Sequence, residues 1–255
     1  MIGPNIELRK NIFAKKLNDF VRFVAMSFDI KKFSFQAAIK LGGVSLTETP
    51  LFKHHYSLRE LESDKVIYRE GQSPAGVYLL KKGKVKISQF SNNGKEQIVY
   101  IYRRDELFGY RPLLCDQPHP VTATTLEDCT YAFIPKDIFL SALDQSPELS
   151  RTLLTQLSNE FMVWLNKINV LGQLAVKERT VVALLILNEK YKKIGKEHLP
   201  SVINLSRENL ASFCGTTVES LVRVLRVLKD AEIISAKGRK ITILDPEALE
   251  GMVGE

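Results

Sequence analysis

The chain of 255 residues has room for two domains, and its 45% hydrophobic and 25% charged content fits a packed globular protein, not a disordered or fibrous one. No apolar run approaches the ~18–20 residues that cross a bilayer, and the N-terminus lacks a signal peptide's apolar core and cleavage site, so a cytoplasmic protein is expected. The net charge of +7 suits a polyanionic partner.

Residues 1–49 form an N-terminal extension with a basic amphipathic stretch from Asn11 to Phe28, which reads first as a packed or frayed terminal helix and otherwise as a membrane-surface or partner helix. Met26 also offers a second possible start. A sensor-like unit is expected over 50–143. From Tyr56 to Ile134 short alternating runs (YSLREL, KVIY, VYLLK, KVKISQF, EQIVYIY, VTATTL, TYAFI) are punctuated by Gly71, Gly83, Gly94 and Gly109. That rhythm predicts a small antiparallel barrel or jelly roll, and Asn93-Gly94 is a hairpin signal.

Asp144-Gln145-Ser146-Pro147 then caps a long helix over 144–176. Along it Leu154, Leu157, Phe161, Trp164, Ile168, Leu171 and Ala175 recur at spacings of three and four. Such a seam predicts a two-stranded coiled coil and hence a homodimer, although the same stripe also suits a helix buried against its own domain. A hinge is expected near Gly172, then an amphipathic helix in VKERTVVALLILNEKYKK and a charged linker, IGKEHLPSV.

The last unit, 177–255, carries the positive field: 13 basic against 7 acidic residues from 177 to 244, where 50–176 has 15 against 14. Ser206 is an N-cap for a helix buried through Leu210 and Phe213, Gly215 supplies a turn, and Thr217 caps a second helix. Leu221, Val224, Leu225 and Leu228 give the second helix one apolar face. Val218, Glu219, Val222, Arg223 and Arg226 are left opposite. In a major groove an Arg bonds guanine bidentately and a Glu accepts from cytosine N4. Glu219 and Arg223 alone equally suit an ordinary i, i+4 ion pair. The neighbouring segment Ile233–Leu244 favours DNA, because it reads as a hairpin tipped by Lys237, Gly238, Arg239 and Lys240, the wing of a winged helix-turn-helix.

Helix, turn, helix and wing together resemble the DNA-binding domain of the Crp/Fnr transcription regulators. Glu219 and Arg223 match the Glu and Arg of that family's recognition helix, and Val218 resembles the Fnr-type branch more than the cAMP receptor branch. The resemblance implies an α+β chain: an N-terminal double-stranded β-helix of the cyclic-nucleotide-binding type, a dimerisation helix and a C-terminal winged helix-turn-helix. It further implies double-stranded DNA, a second copy of the chain and RNA polymerase as partners, and a palindromic site with a TGA-like core. Ser206, Arg207, Thr216, Thr217, Val218, Glu219, Val222, Arg223, Arg226, Lys237, Arg239 and Lys240 become the DNA-contacting candidates.

By the same resemblance an effector pocket falls at Gly109, Tyr110, Arg111, Pro120, Val121 and Thr122. Where nucleotide-binding members carry a Glu, an Arg and a Ser, this chain has Tyr110, Pro120 and Val121. A proline and a valine cannot hold a phosphate, so cAMP is not expected, although a cyclic-nucleotide-responsive module stays the rival reading. The oxygen-sensing cysteine cluster is absent, since Cys115, Cys129 and Cys214 are scattered and form no CxxC. Some relatives respond to nitric oxide through haem, which would draw an axial ligand from His54, His55, His119 or His198. Each of these reads first as a surface or hydrogen-bonded histidine. No metal site is expected, and no phosphate loop, Ser-His-Asp set or paired carboxylates suggest an enzyme.

Overall fold

All seven alternating runs are strands in the computed structural model, which describes residues 32–33, 39–192 and 201–253. The stretch 11–28, His198 and most of the charged linker lie outside the described residues. The runs appear as β3 (Ser57–Leu61), β4 (Val66–Tyr68), β5 (Gly76–Lys82), β6 (Val85–Phe90), β7 (Glu96–Tyr102), β9 (Thr122–Thr125) and β10 (Cys129–Pro135). A short β8 (Leu107–Phe108) had no alternation to betray it. Two four-stranded sheets result, ordered β3-β10-β5-β8 and β4-β9-β6-β7, with every pairing antiparallel.

Period-two alternation puts one face of each strand inward, and the inward faces here are ringed with aromatics. Tyr68, Tyr78, Tyr100, Tyr102, Phe108, Tyr131 and Phe133 share one cluster, in which Tyr102 stacks on Phe108 at 5.1 Å and Tyr78 on Phe108 at 5.2 Å between ring centroids. Asn93-Gly94 does not form a two-residue turn: it sits in the loop 91–95, closed by Ser91 N–H donating to the Lys95 carbonyl at 2.9 Å.

Two expectations are corrected at the edges of the roll. Residues 39–49, placed in the extension by sequence, pack against the roll: around a separate small hairpin, β1 (Lys40–Leu41) and β2 (Val44–Ser45), Ile39, Leu41 and Leu46 are buried in the cluster that holds Val77, Ile134 and Phe139. The helix expected to be amphipathic, α4 (Val176–Tyr191), is buried without a break from Thr180 to Leu187. A helix buried all round has neighbours on every side. Before it come α1 (Tyr110–Leu114), α2 (Lys136–Gln145) and the long α3 (Pro147–Gln173), which Ser146 caps by accepting from Leu149 N–H at 3.2 Å. After it come β11 (Ile203–Asn204), α5 (Arg207–Cys214), α6 (Val218–Asp230), β12 (Ile234–Lys237), β13 (Lys240–Ile243) and α7 (Pro246–Gly251).

The two halves are docked face to face, with Ile98 and Ile101 of β7 in the same core cluster as α4, α5 and α6. Polar groups fix the register of that contact. Lys190, at the end of α4, places its ammonium 2.8 Å from Glu106 and also donates to the Tyr100 hydroxyl; the side chains of Lys190 and Glu106 are 2% and 4% exposed. Burial raises the Glu106 carboxyl and lowers the Lys190 ammonium from their usual values, each opposed by the other's charge. Beside them Arg103 donates to the Glu189 carbonyl at 2.9 Å, Ser212 to the Glu96 carbonyl at 2.6 Å, and Gln97 to the Ser212 carbonyl at 2.7 Å. Removing one member of a buried pair leaves its partner's charge in low dielectric, so Glu106→Gln should lower unfolding free energy by about 3–5 kcal/mol. A urea titration checks it; a shift inside the ~0.5 kcal/mol of ordinary surface changes would show the contact to be passive.

Candidate nucleic-acid interface and ligand cavity

The helix-turn-helix is assembled by local signals. Ser206 accepts from Asn209 N–H at 3.1 Å and starts α5, while Thr217 accepts from Ser220 N–H at 3.2 Å and starts α6. Between them Gly215 adopts a left-handed conformation, φ 65°, and a Cβ there would lie 3.0 Å from Leu171 and 3.2 Å from Gln97, so both backbone and space favour glycine. Leu221, Leu225 and Leu228 are buried and hold α6 down.

On the other side of α6, Glu219, Val222, Arg223 and Arg226 are exposed, with Val222 at 46%. Among the described residues no ion pair within 4.0 Å joins Glu219 to Arg223, whereas Arg226 reaches Asp230 at 3.9 Å. The Glu219 carboxyl is held below its usual range by the backbone N–H at the helix start and by Thr217, with Arg223 a smaller influence. It is therefore ionised at neutral pH and available as an acceptor. The wing is a hairpin with Lys237 opposite Lys240, in which Gly238 takes φ 56°; Lys237, Arg239 and Lys240 are all exposed.

The remaining DNA-contacting candidates sit differently. Val218, expected on the open face, is partly buried against the core. Arg207 is half-buried, and burial lowers its guanidinium from the usual value. Thr216, Thr217 and Val218 line a groove whose far wall is the β6–β7 hairpin at Phe90, Ser91 and Lys95. The start of α6 thus faces the roll.

A cavity of about 220 Å³ lies in the roll, bounded by Gly109, Arg111, Pro120 and Val121 together with Tyr68, His119 and Trp164. Of the six pocket candidates, two turn away. Tyr110 is fully buried in the opposite core and donates to Glu160 at 2.6 Å, and Thr122 accepts the Glu70 N–H at 3.0 Å. Gly109, immediately before Tyr110, takes φ 83° at the start of α1. Arg111 is the cavity's cation, but it is ion-paired with Glu160 and donates to the Tyr102 hydroxyl at 3.1 Å. Glu160 accepts from Gln156 as well, at 3.0 Å. A phosphate would have to displace that carboxylate.

His119, expected as a surface or hydrogen-bonded histidine, is 2% exposed and stacks on Tyr68 with centroids 3.7 Å apart. Burial holds its imidazole at about 4, hence neutral, and its Nδ1 has no hydrogen-bond partner. The cavity is below the ~300–1,000 Å³ of drug-sized ligand pockets, and a porphyrin does not fit it; His54 and His55 are exposed. The residues on view therefore do not suit haem.

The long helix also differs from its expected seam. Its buried stripe is Leu149, Leu153, Gln156, Glu160 and Val163, and Leu157 and Trp164 are turned partly toward the roll. Left exposed are Leu154, Phe161, Met162, Leu165, Ile168 and Leu171, with Phe161 at 61% and Ile168 at 67%. The buried stripe steps by four and three, and within the exposed one Leu154, Phe161, Leu165 and Ile168 step by seven, four and three. Sequence reading blended them because the buried one carries Gln156 and Glu160, which look like surface residues. Polar residues in step with the apolar Leu149, Leu153 and Val163 were the missed signal.

Comparison with known proteins adds to this geometry. Residues 58–146 match the family model for the cyclic nucleotide-binding domain, and residues 178–252 that for the Crp-like helix-turn-helix domain. The chain is 28% identical over 196 residues to the transcriptional activator protein Anr of Pseudomonas protegens, covering 77% of this chain and 80% of that protein. It is 28% identical over 197 residues to the global nitrogen regulator of Synechococcus elongatus, covering 75% and 87%. Among solved structures it resembles FixK2 from Bradyrhizobium japonicum in fold, with a TM-score of 0.69 at 20% identity over 77% of this chain and 96% of that one. No helix among the described residues is long and apolar enough to cross a membrane.

Because Thr217 satisfies a backbone donor at the start of α6, Thr217→Ala should cost about 1 kcal/mol while Thr217→Ser keeps most of it. Urea midpoints of the two variants test this, and equal losses would assign the effect to the lost methyl instead of the cap.

Proposed function

The chain belongs to the Crp/Fnr family of transcription regulators and is a DNA-binding regulator; on that footing we propose that it acts as a homodimer reading a palindromic site. The observation that carries this reading is the outward face of α6, where an ionised Glu219 and an Arg223 not ion-paired to it stand one turn apart beside an exposed Val222. Arg223 would bond guanine, Glu219 would accept from cytosine N4, and Val222 would meet a thymine methyl group. Lys237, Arg239 and Lys240 would bind phosphates and set orientation without reading sequence. Two such helices must lie ~34–36 Å apart to enter successive major grooves.

Self-pairing through the exposed stripe of α3 supplies the two copies. Exposed apolar contacts at Leu154, Phe161, Leu165 and Ile168 fall on a heptad, and a lone helix gains nothing by showing them to water. Leu157 and Trp164 have no part in this seam. An effector, if one binds the roll, would act by preferring one of two placements of the helix-turn-helix about the joint after Gly172. With α5 resting on β7, the start of α6 is turned toward the β6–β7 hairpin, which suits the placement less fit for DNA. The cavity's paired Arg111 and its Pro120 and Val121 argue against cAMP as that effector, and contact with RNA polymerase goes with the regulator role.

Selection of bound sequences from a random DNA pool tests the whole reading, since a recovered palindrome reports dimer symmetry and half-site together. Arg223→Ala should then weaken the selected site by about 1–3 kcal/mol and scrambled DNA far less. Equal losses on both would remove the base-reading role. Phe161→Glu should give monomers by sedimentation and abolish palindrome preference; a dimer that survives it would place the interface elsewhere.

A further inference from the structure

A second cavity, of about 250 Å³, lies where the two halves of the chain meet. Its walls come chiefly from β7, α3, α4 and α5, with Gln89 of β6 and Phe33 at the rim, and they are largely apolar: Ile98, Val170, Val182, Ala183, Ile186 and Phe213. Two cations, Lys167 and Arg179, also line it, and among the described residues no aspartate or glutamate does. The Lys167 ammonium donates to the Val99 carbonyl at 2.5 Å and stands over the Phe213 ring at 4.5 Å, with no carboxylate within ion-pair distance among the described residues. An ammonium has three donors, so this leaves the group short of acceptors. Arg179 reaches the Leu171 carbonyl at 3.4 Å, while its buried Nε has no hydrogen-bond partner.

Two positive side chains lining an apolar space, with no counter-charge among the described residues that line it, carry a desolvation cost that an anion there would offset. The electrostatics agree: burial, and then the nearby Lys190 charge, hold the Lys167 ammonium down at about 7. Volume sets the size of the guest. The space falls short of the ~300 Å³ at which drug-sized pockets begin, which suits a single alkyl chain better than a fused ring system. We propose that this junction cavity binds a small amphiphile with one anionic group, a medium-chain monocarboxylate in its simplest form, with its head between Lys167 and Arg179 and its tail against Ile98, Val182 and Phe213.

This site is distinct from the effector cavity of the roll, although Gln89, Val99 and Trp164 border both. Its walls include Phe213 and Cys214 of the first helix of the DNA-reading pair and Ile98 and Val99 of the strand on which that helix rests. A guest bridging them holds α5 against β7 and lowers DNA affinity. That consequence rests on the DNA-reading role proposed above, whereas binding of the guest does not.

Trp164 is the chain's one tryptophan and lines the cavity, so its fluorescence reports occupancy. Ile168 and Leu171 line it too and lie on the stripe assigned to self-pairing, so the full-length protein is titrated at concentrations where its oligomeric state is fixed. The probe is decanoate, with decanol and acetate as comparators. Decanoate should bind saturably and at least tenfold more tightly than either. Lys167→Met should lose that preference by removing the charge while keeping an apolar chain, and it should fold, since it deletes a buried cation. Ala183→Phe should block decanoate and decanol alike by filling the space. Saturating decanoate should weaken binding to the selected DNA in the wild type and not in Lys167→Met. No saturable binding, equal affinity for decanol, or decanoate binding unchanged in Lys167→Met would overturn the site. Tight decanoate binding with unchanged DNA affinity would overturn the regulatory half alone.

Discussion

The placement of the DNA-reading half depends on a buried charge contact, the Lys190 ammonium held between Glu106 and the Tyr100 hydroxyl. Neither charge would be stable in that environment alone, because desolvating a single ion costs several kcal/mol. The contact therefore exists only when the end of α4 sits on the roll. From there the remaining polar bonds form at short range, Arg103 to Glu189 on one side and Ser212 to Glu96 on the other. The apolar surface of β7 supplies the attraction and the charges supply the register.

Helix α3 is the element through which both halves and the proposed partner copy communicate. Its inner face reaches the roll's core through Glu160, which gathers Tyr110, Arg111 and Gln156 around one carboxylate. One turn or two further on, Lys167 reaches β7 and the rim of the junction cavity. Its outer face is the unpartnered apolar stripe. Rotation or translation of α3 would disturb the effector cavity, the junction cavity and the outer stripe together, and this is what a regulator needs from a rigid element that biases two states.

The roll has kept the family's architecture while its pocket chemistry has changed. An arginine is present in the cavity, yet its charge is neutralised internally by Glu160, and the neighbouring imidazole of His119 is neutral through burial. Aromatic and aliphatic side chains line the pocket, and a phosphate entering it would find its arginine already paired. At the junction the balance is reversed: among the described residues, two cations and no carboxylate line an apolar space. Complementary electrostatics therefore point an anionic guest to the seam between the halves.

Much of this was legible in the chain itself. Period-two alternation located the seven long strands, and Ser206, Gly215, Thr217 and the Lys237–Lys240 tip located the helix-turn-helix and wing, because caps, turns and hairpins are decided by residues within a few positions of one another. What local pattern could not decide was which way a side chain turns once distant elements pack. Tyr110 left the pocket for a carboxylate 50 residues away, His119 was buried by Tyr68, and the inner stripe of α3 looked polar because its partners lie on other elements. The junction cavity, made by elements far apart in sequence, exists only in the tertiary structure, since no single segment carries the arrangement of apolar walls beside two cations.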